Sequence, residues 1–105
     1  MELRHLRYFL AVAEELHFAR AAERLHIEQS PLSRAIRELE EELGAQLFVR
    51  TSRSTRLTLA GKLLMENAPR VLLALDQARE SVKAAANGFH GRLRVALSDG
   101  ITPSR

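Results

Sequence analysis

FARAAERLHIEQSPLSR, residues 18–34, is the stretch on which the fold turns. From Phe18 to Leu25 the apolar positions Ala21, Ala22 and Leu25 fall on one side of a helical repeat. Small alanines there let a second helix approach closely. His26-Ile27-Glu28-Gln29 has no helical period and reads as a tight turn. A further helix is expected to run to Leu43. Ser30 can cap it, with Pro31 as its first residue, where no backbone donor is needed. A start near Gln29 also tolerates Pro31, within the first turn. The inward face of this helix is Leu32, Ile36, Leu39 and Leu43, and Gly44 ends it as a C-terminal glycine does.

Working outward, Leu3, Leu6, Leu10, Ala13 and Leu16, with Phe9 beside Leu10, mark an earlier helix by steps of three and four. After Gly44 the pattern changes. Leu47, Phe48 and Val49 are strand-like, Thr51-Ser52-Arg53-Ser54 is a polar tip, and Arg56-Leu57-Thr58 returns. This predicts a short β-hairpin, or wing, with Thr58 capping the next helix. The fold class is therefore mainly α: a winged helix-turn-helix over residues 1–58.

From residue 59 to about 86 the spacing is helical again. Leu64, Ala68, Val71, Leu75, Ala78, Val82 and Ala85 alternate steps of four and three, a heptad seam. At ~1.5 Å per residue such a helix is roughly 42 Å long, more than a core of this size can cover. The expectation is a dimerisation (linker) helix packing on a second copy of the chain. The alternative is packing of the seam on its own domain. Pro69 predicts a kink or a break. Asn87-Gly88-Phe89-His90-Gly91 reads as a hinge, and Arg92 to Ser98, alternating Leu93, Val95 and Leu97 with Arg94, Ala96 and Ser98, as one strand. Residues 87–105 are then expected to be the truncated start of a second domain.

Composition excludes several classes. With 105 residues the default is one compact domain, and no cysteine means no disulfide framework, thiolate metal site or cysteine nucleophile. His5, His17, His26 and His90 do not cluster at metal-ligand spacing. No apolar run approaches a membrane span, and the N-terminus is no signal peptide. Phosphate loops, nucleophile elbows and metal motifs are missing, so neither an enzyme nor a cofactor is expected. The formal net charge is +3, unevenly spread. Residues 1–57 hold nine Lys/Arg and nine Asp/Glu, with Glu38, Glu40, Glu41 and Glu42 together. Gly44 to Met65 holds no acid but carries Arg50, Arg53, Arg56 and Lys62. Such a local basic stretch suggests a patch aimed at an anion.

These features converge on double-stranded DNA. The major groove admits one helix, and the N-terminal end of the second helix of such a motif faces base edges. Gln29 can pair bidentately with adenine and Arg34 with guanine. Ser30 and Pro31 offer close hydroxyl or apolar contact, and Ser33 and Arg37 can hold phosphates. Arg53 at the wing tip suits a narrow minor groove, with Arg50 and Arg56 toward phosphates. Arg4 and Arg20 are weaker phosphate candidates. The bland alternatives are intrahelical pairs of Arg34 with Glu38 and Arg37 with Glu41, worth only about 0.2–0.5 kcal/mol each. For Arg50, Arg53 and Arg56 the alternative is a solvated wing. A helical adaptor that never meets nucleic acid is the competing function, which the acid-free wing argues against.

The run Leu6-Arg7-Tyr8-Phe9, Ala21-Ala22-Glu23-Arg24-Leu25, Gln29-Ser30-Pro31-Leu32-Ser33-Arg34, Leu39-Glu40-Glu41-Glu42-Leu43-Gly44, Leu47-Phe48-Val49-Arg50 and Leu57-Thr58-Leu59-Ala60-Gly61 resembles the DNA-binding domain of LysR-type transcriptional regulators. The resemblance covers residues 1 to about 90. It implies a base-reading helix with Gln29, Ser33 and Arg34, a wing contact at Arg53, a dimerising linker helix and an effector-binding domain starting near Arg92. It further implies a bacterial, cytoplasmic, nucleoid-associated regulator that assembles as a dimer of dimers on interrupted palindromes. RNA polymerase would be a partner, and a small-molecule inducer would act through the missing domain.

Overall fold

The computed structural model describes residues 1–99. The elements in order are α1 (Leu3–Glu15), α2 (Phe18–Leu25), α3 (Gln29–Leu43), β1 (Phe48–Arg50), β2 (Thr55–Leu57) and α4 (Leu59–Asp99). Met1–Arg70 forms one compact unit, and the chain from Val71 onward forms a second.

In the first unit three helices enclose an apolar core of Phe9, Val12, Ala21, Ala22, Leu32, Ile36 and Leu39. On α1 the inward face is Leu6, Phe9, Val12 and Ala13, with His5 also buried. Leu3 and Leu16, expected inside, stand at the two ends of α1 and are exposed. Leu43 is likewise exposed at the end of α3. Both turns close on left-handed residues that are not glycine. Leu16 has φ 51° and His26 φ 59°. At the second, the His26 amide donates to Ala22 O and Glu23 O, and the Ile27 amide to Ala22 O, so two of the last four carbonyls of α2 find partners. Gly44 ends α3 with φ 69°, as its sequence position predicts.

The start of α3 differs from the favoured expectation. Glu28 occupies the cap position and makes no side-chain cap bond, so Ser30 is a helical residue rather than the cap. Pro31 then falls in the first turn, where its missing N–H leaves no bond unmade.

β1 and β2 pair antiparallel, with Phe48 opposite Leu57, Val49 opposite Arg56 and Arg50 opposite Thr55. The hairpin is anchored at its base. Glu40 Oε2 on α3 accepts from the amides of Leu47 (2.8 Å) and Phe48 (3.4 Å). Phe48 inserts between Phe9 and Phe18, with ring centroids 5.4 and 5.8 Å away. Thr58 caps α4 as expected: its Oγ1 accepts from the Gly61 amide (3.0 Å) and donates to Gln46 O (2.6 Å). Gly61 is required by close approach, since a Cβ there would lie 2.2 Å from Leu47 O.

α4 bears on three expectations. Of the kink or break expected at Pro69, the break does not occur: α4 passes through Pro69 as one helix. Proline removes one bond, and the turns on either side keep theirs. The helix also continues through Asn87–Gly91 and Arg92–Ser98, so the hinge and the strand are both helical in this chain. A strand needs a partner to satisfy its backbone, whereas a helix satisfies its own. Gly100–Arg105, the remainder of the expected second-domain start, lie outside the described residues. Lastly, Ala68 is 1% exposed and Leu64 packs on the core of the first unit, so the first two members of the heptad seam are taken up by their own domain. Val71, Ala78 and Val82 remain exposed, and Leu75 is half-buried.

Gly61 and Gly88, both on α4, give opposite expectations. Gly61→Ala should destabilise the fold by about 1–3 kcal/mol through overpacking. Gly88, with nothing within 4 Å of an added Cβ, should accept alanine with no loss and a gain of up to about 1 kcal/mol. Urea unfolding of the two variants checks this.

Candidate nucleic-acid interface

On α3 the buried positions are Leu32, Ala35, Ile36 and Leu39. At 3.6 residues per turn this turns Gln29, Ser30, Ser33, Arg34 and Arg37 to the other side. These five residues line one shallow concavity on the helix surface. Gln29 also lines a second concavity with His17, Arg50 and Arg53, where the start of α2 meets the wing. Ser33 and Arg37 line a third with Arg50 and Glu40. The structure thus brings the α3 residues together with Arg50 and Arg53. Pro31 is exposed on α3, and Arg56 is exposed on β2 outside these concavities.

The electrostatics of this face follow from where the acids go. Glu38 Oε1 meets His5 Nε2 at 3.3 Å, and the Glu42 carboxylate pairs with the N-terminal ammonium of Met1. Glu40 holds the wing amides. Neither intrahelical alternative forms. Arg34 and Arg37 make no ion pair among the described residues, and nor do Arg50, Arg53 and Arg56. Other arginines are engaged. Arg24 on α2 pairs with Glu14 and Glu15 on α1, and its hydrogen bond and attraction to Glu14 push its pKa up. Arg4 pairs with Glu2. Among the described residues Arg20 makes no ion pair, and its amide donates to His17 Nδ1 (3.1 Å), which caps α2.

Two organising residues were not singled out from the sequence. Thr51 Oγ1 accepts from the amides of Arg53 (3.2 Å) and Ser54 (3.0 Å), while the Thr51 amide donates to Ser54 O (2.8 Å). This turn fixes the wing tip that carries Arg53, and a threonine opening a polar four-residue loop is a signal for it. Glu40 had none: it stood among four clustered acids, and only the fold places it beside Leu47.

A family model described as bacterial regulatory helix-turn-helix protein, lysR family, matches residues 3–62. The chain belongs to the LysR family. Among LysR-type relatives, the HTH-type transcriptional regulator XapR of Escherichia coli (strain K12) is 51% identical over 96 residues, which are 91% of this chain and 33% of XapR. This chain therefore spans about a third of that relative's length. Solved structures agree in fold. The BenM DNA-binding domain in complex with catB site 1 DNA is 50% identical, with a TM-score of 0.79, covering 84% of this chain and 98% of that one. The CbnR DNA-binding domain in complex with DNA is 43% identical, with a TM-score of 0.80, covering 82% and 99%. The winged helix-turn-helix with a long C-terminal helix is thus the architecture of this LysR-family chain. Among the described residues no helix is long and apolar enough to cross a membrane, and no group of three metal-ligating side chains stands together.

Thr51→Ala should loosen the wing tip without unfolding the domain. Amide exchange at Arg53 and Ser54 should quicken while the global unfolding free energy shifts by no more than about 0.5 kcal/mol, as for an ordinary surface change. Hydrogen exchange followed by NMR measures both.

Proposed function

We propose that this chain is the DNA-reading and dimerising end of a LysR-type transcriptional regulator. The observation that carries the reading is the exposed face of Gln29, Ser30, Ser33, Arg34 and Arg37, with Arg50 and Arg53 beside it and, among the described residues, no acid paired to any of these arginines. α3 enters the major groove, where Gln29, Ser30, Pro31 and Arg34 meet base edges, and Ser33 and Arg37 hold phosphates. Arg53 on the wing enters the minor groove, with Arg50 and Arg56 on phosphates. DNA complexes of BenM and CbnR domains that share this fold support the assignment. The role is recognition rather than catalysis.

Val71, Leu75, Ala78 and Val82 form the seam of a homodimer that reads an interrupted palindrome. In the whole protein, dimers pair into a dimer of dimers, contact RNA polymerase, and take a small-molecule inducer in a separate effector-binding domain. The protein works in the bacterial cytoplasm, on the nucleoid.

Selection of bound fragments from sheared bacterial genomic DNA tests base reading. The native chain should enrich sites sharing an interrupted palindrome, and Arg34→Ala should lose about 1–3 kcal/mol of preference for them. An equal loss on every sequence would reduce Arg34 to phosphate neutralisation. For the seam, Val82→Glu should weaken self-association in sedimentation equilibrium. A native chain that stays monomeric at high concentration would remove the dimer assignment.

A further inference from the structure

The guanidinium carbon of Arg50 lies over the ring of Phe18, 4.0 Å from its centroid. Phe18 is 7% exposed and is itself held edge-on by Phe48, at 5.8 Å and 73°. Phe48 in turn rests on Phe9. Three rings thus run from the middle of the core to the surface, and the last of them carries the cation. Among the described residues no other arginine is seated on a ring. Arg53 and Arg56, on the same wing, have no such support.

Arg50 stands where two concavities meet, one lined with Gln29 and Arg53, the other with Ser33 and Arg37. The carboxylate on that side, Glu40, has its Oε2 engaged by the amides of Leu47 and Phe48. A guanidinium held by its face keeps its in-plane N–H donors available, and those donors match the oxygens of a phosphate. A free arginine has to give up rotamer freedom when it binds. One already seated on a ring gives up less.

We propose that Phe18 is a positioning residue for Arg50, holding its guanidinium between the reading helix and the wing so that it meets one DNA phosphate in a preordered geometry. The inference rests on the DNA-binding reading above. It separates Arg50 from the other wing arginines, because only Arg50 is prepared by a residue of the helix-turn-helix. It also gives Phe18 a role beyond filling the core.

A double-mutant cycle on the 105-residue chain tests it, with a random-sequence DNA duplex as probe across a series of NaCl concentrations. Phe18→Leu should weaken binding about two- to fivefold, the range of an exposed cation–π contact. In the Arg50→Ala background the same change should weaken it no further. Equal weakening in both backgrounds, or no weakening in either, overturns the proposal while leaving DNA binding intact. A native chain without salt-dependent binding removes the DNA-binding reading, and this inference with it. Should Phe18→Leu fail to fold, NMR of the DNA-free native chain decides. The Arg50 δ protons should be shifted upfield of those of Arg53 by the ring current, and coincident shifts overturn the proposal.

Discussion

Phe48 is the contact on which the rest of the first unit depends. A two-stranded hairpin of three residues per strand is marginal in water by itself. Here its first residue is driven into the core between Phe9 and Phe18, and burying a side chain of this size contributes about 1.5–3 kcal/mol. Glu40 satisfies the amides of Leu47 and Phe48, and the Thr58 amide donates to Leu47 O. Gly61 allows α4 to cross at that same carbonyl. The wing is therefore set relative to α3 by buried contacts at its base. Its exposed tip needs only the short-range bonds of Thr51.

Charge follows the same division. Clustered acids on the far half of α3 would weaken an anion-binding face if left free. Instead Glu38, Glu40 and Glu42 have partners in His5, the wing amides and the N-terminus. The arginines on the other face have none among the described residues, which leaves their donors for an external anion. Exposed pairs such as Arg24 with Glu14 and Glu15 add little stability, and their effect here is to tie α2 to α1.

α4 changes role along its length. Its opening turns, through Leu64, Met65 and Ala68, complete the first unit's core. Beyond that unit Val71 and Leu73 are about half accessible and Val82 is 68% exposed, while Leu75 is half-buried. A single heptad stripe is thus part buried in the first unit and part exposed beyond it, and spacing alone does not divide the two. The division falls where the three-helix core ends.

Much of this was legible in the residues. Periodicity marked α1, α2 and α3, Gly44 marked a stop, Thr58 marked a cap, and the run from Leu47 to Thr58 marked the wing, because each rests on local chemistry. The exposed face of α3 followed from its buried face by helical geometry. What the residues did not disclose depended on neighbours far along the chain. The left-handed turns at Leu16 and His26 carry no glycine to announce them. Glu40 looks like any acid in a cluster until the fold brings Leu47 beside it. Alternation from Arg92 to Ser98 suggested a strand, yet with no partner strand among the described residues the backbone satisfies itself as helix. The seat of Arg50 on Phe18 joins residues 32 positions apart in sequence, and only a folded core brings such a pair together.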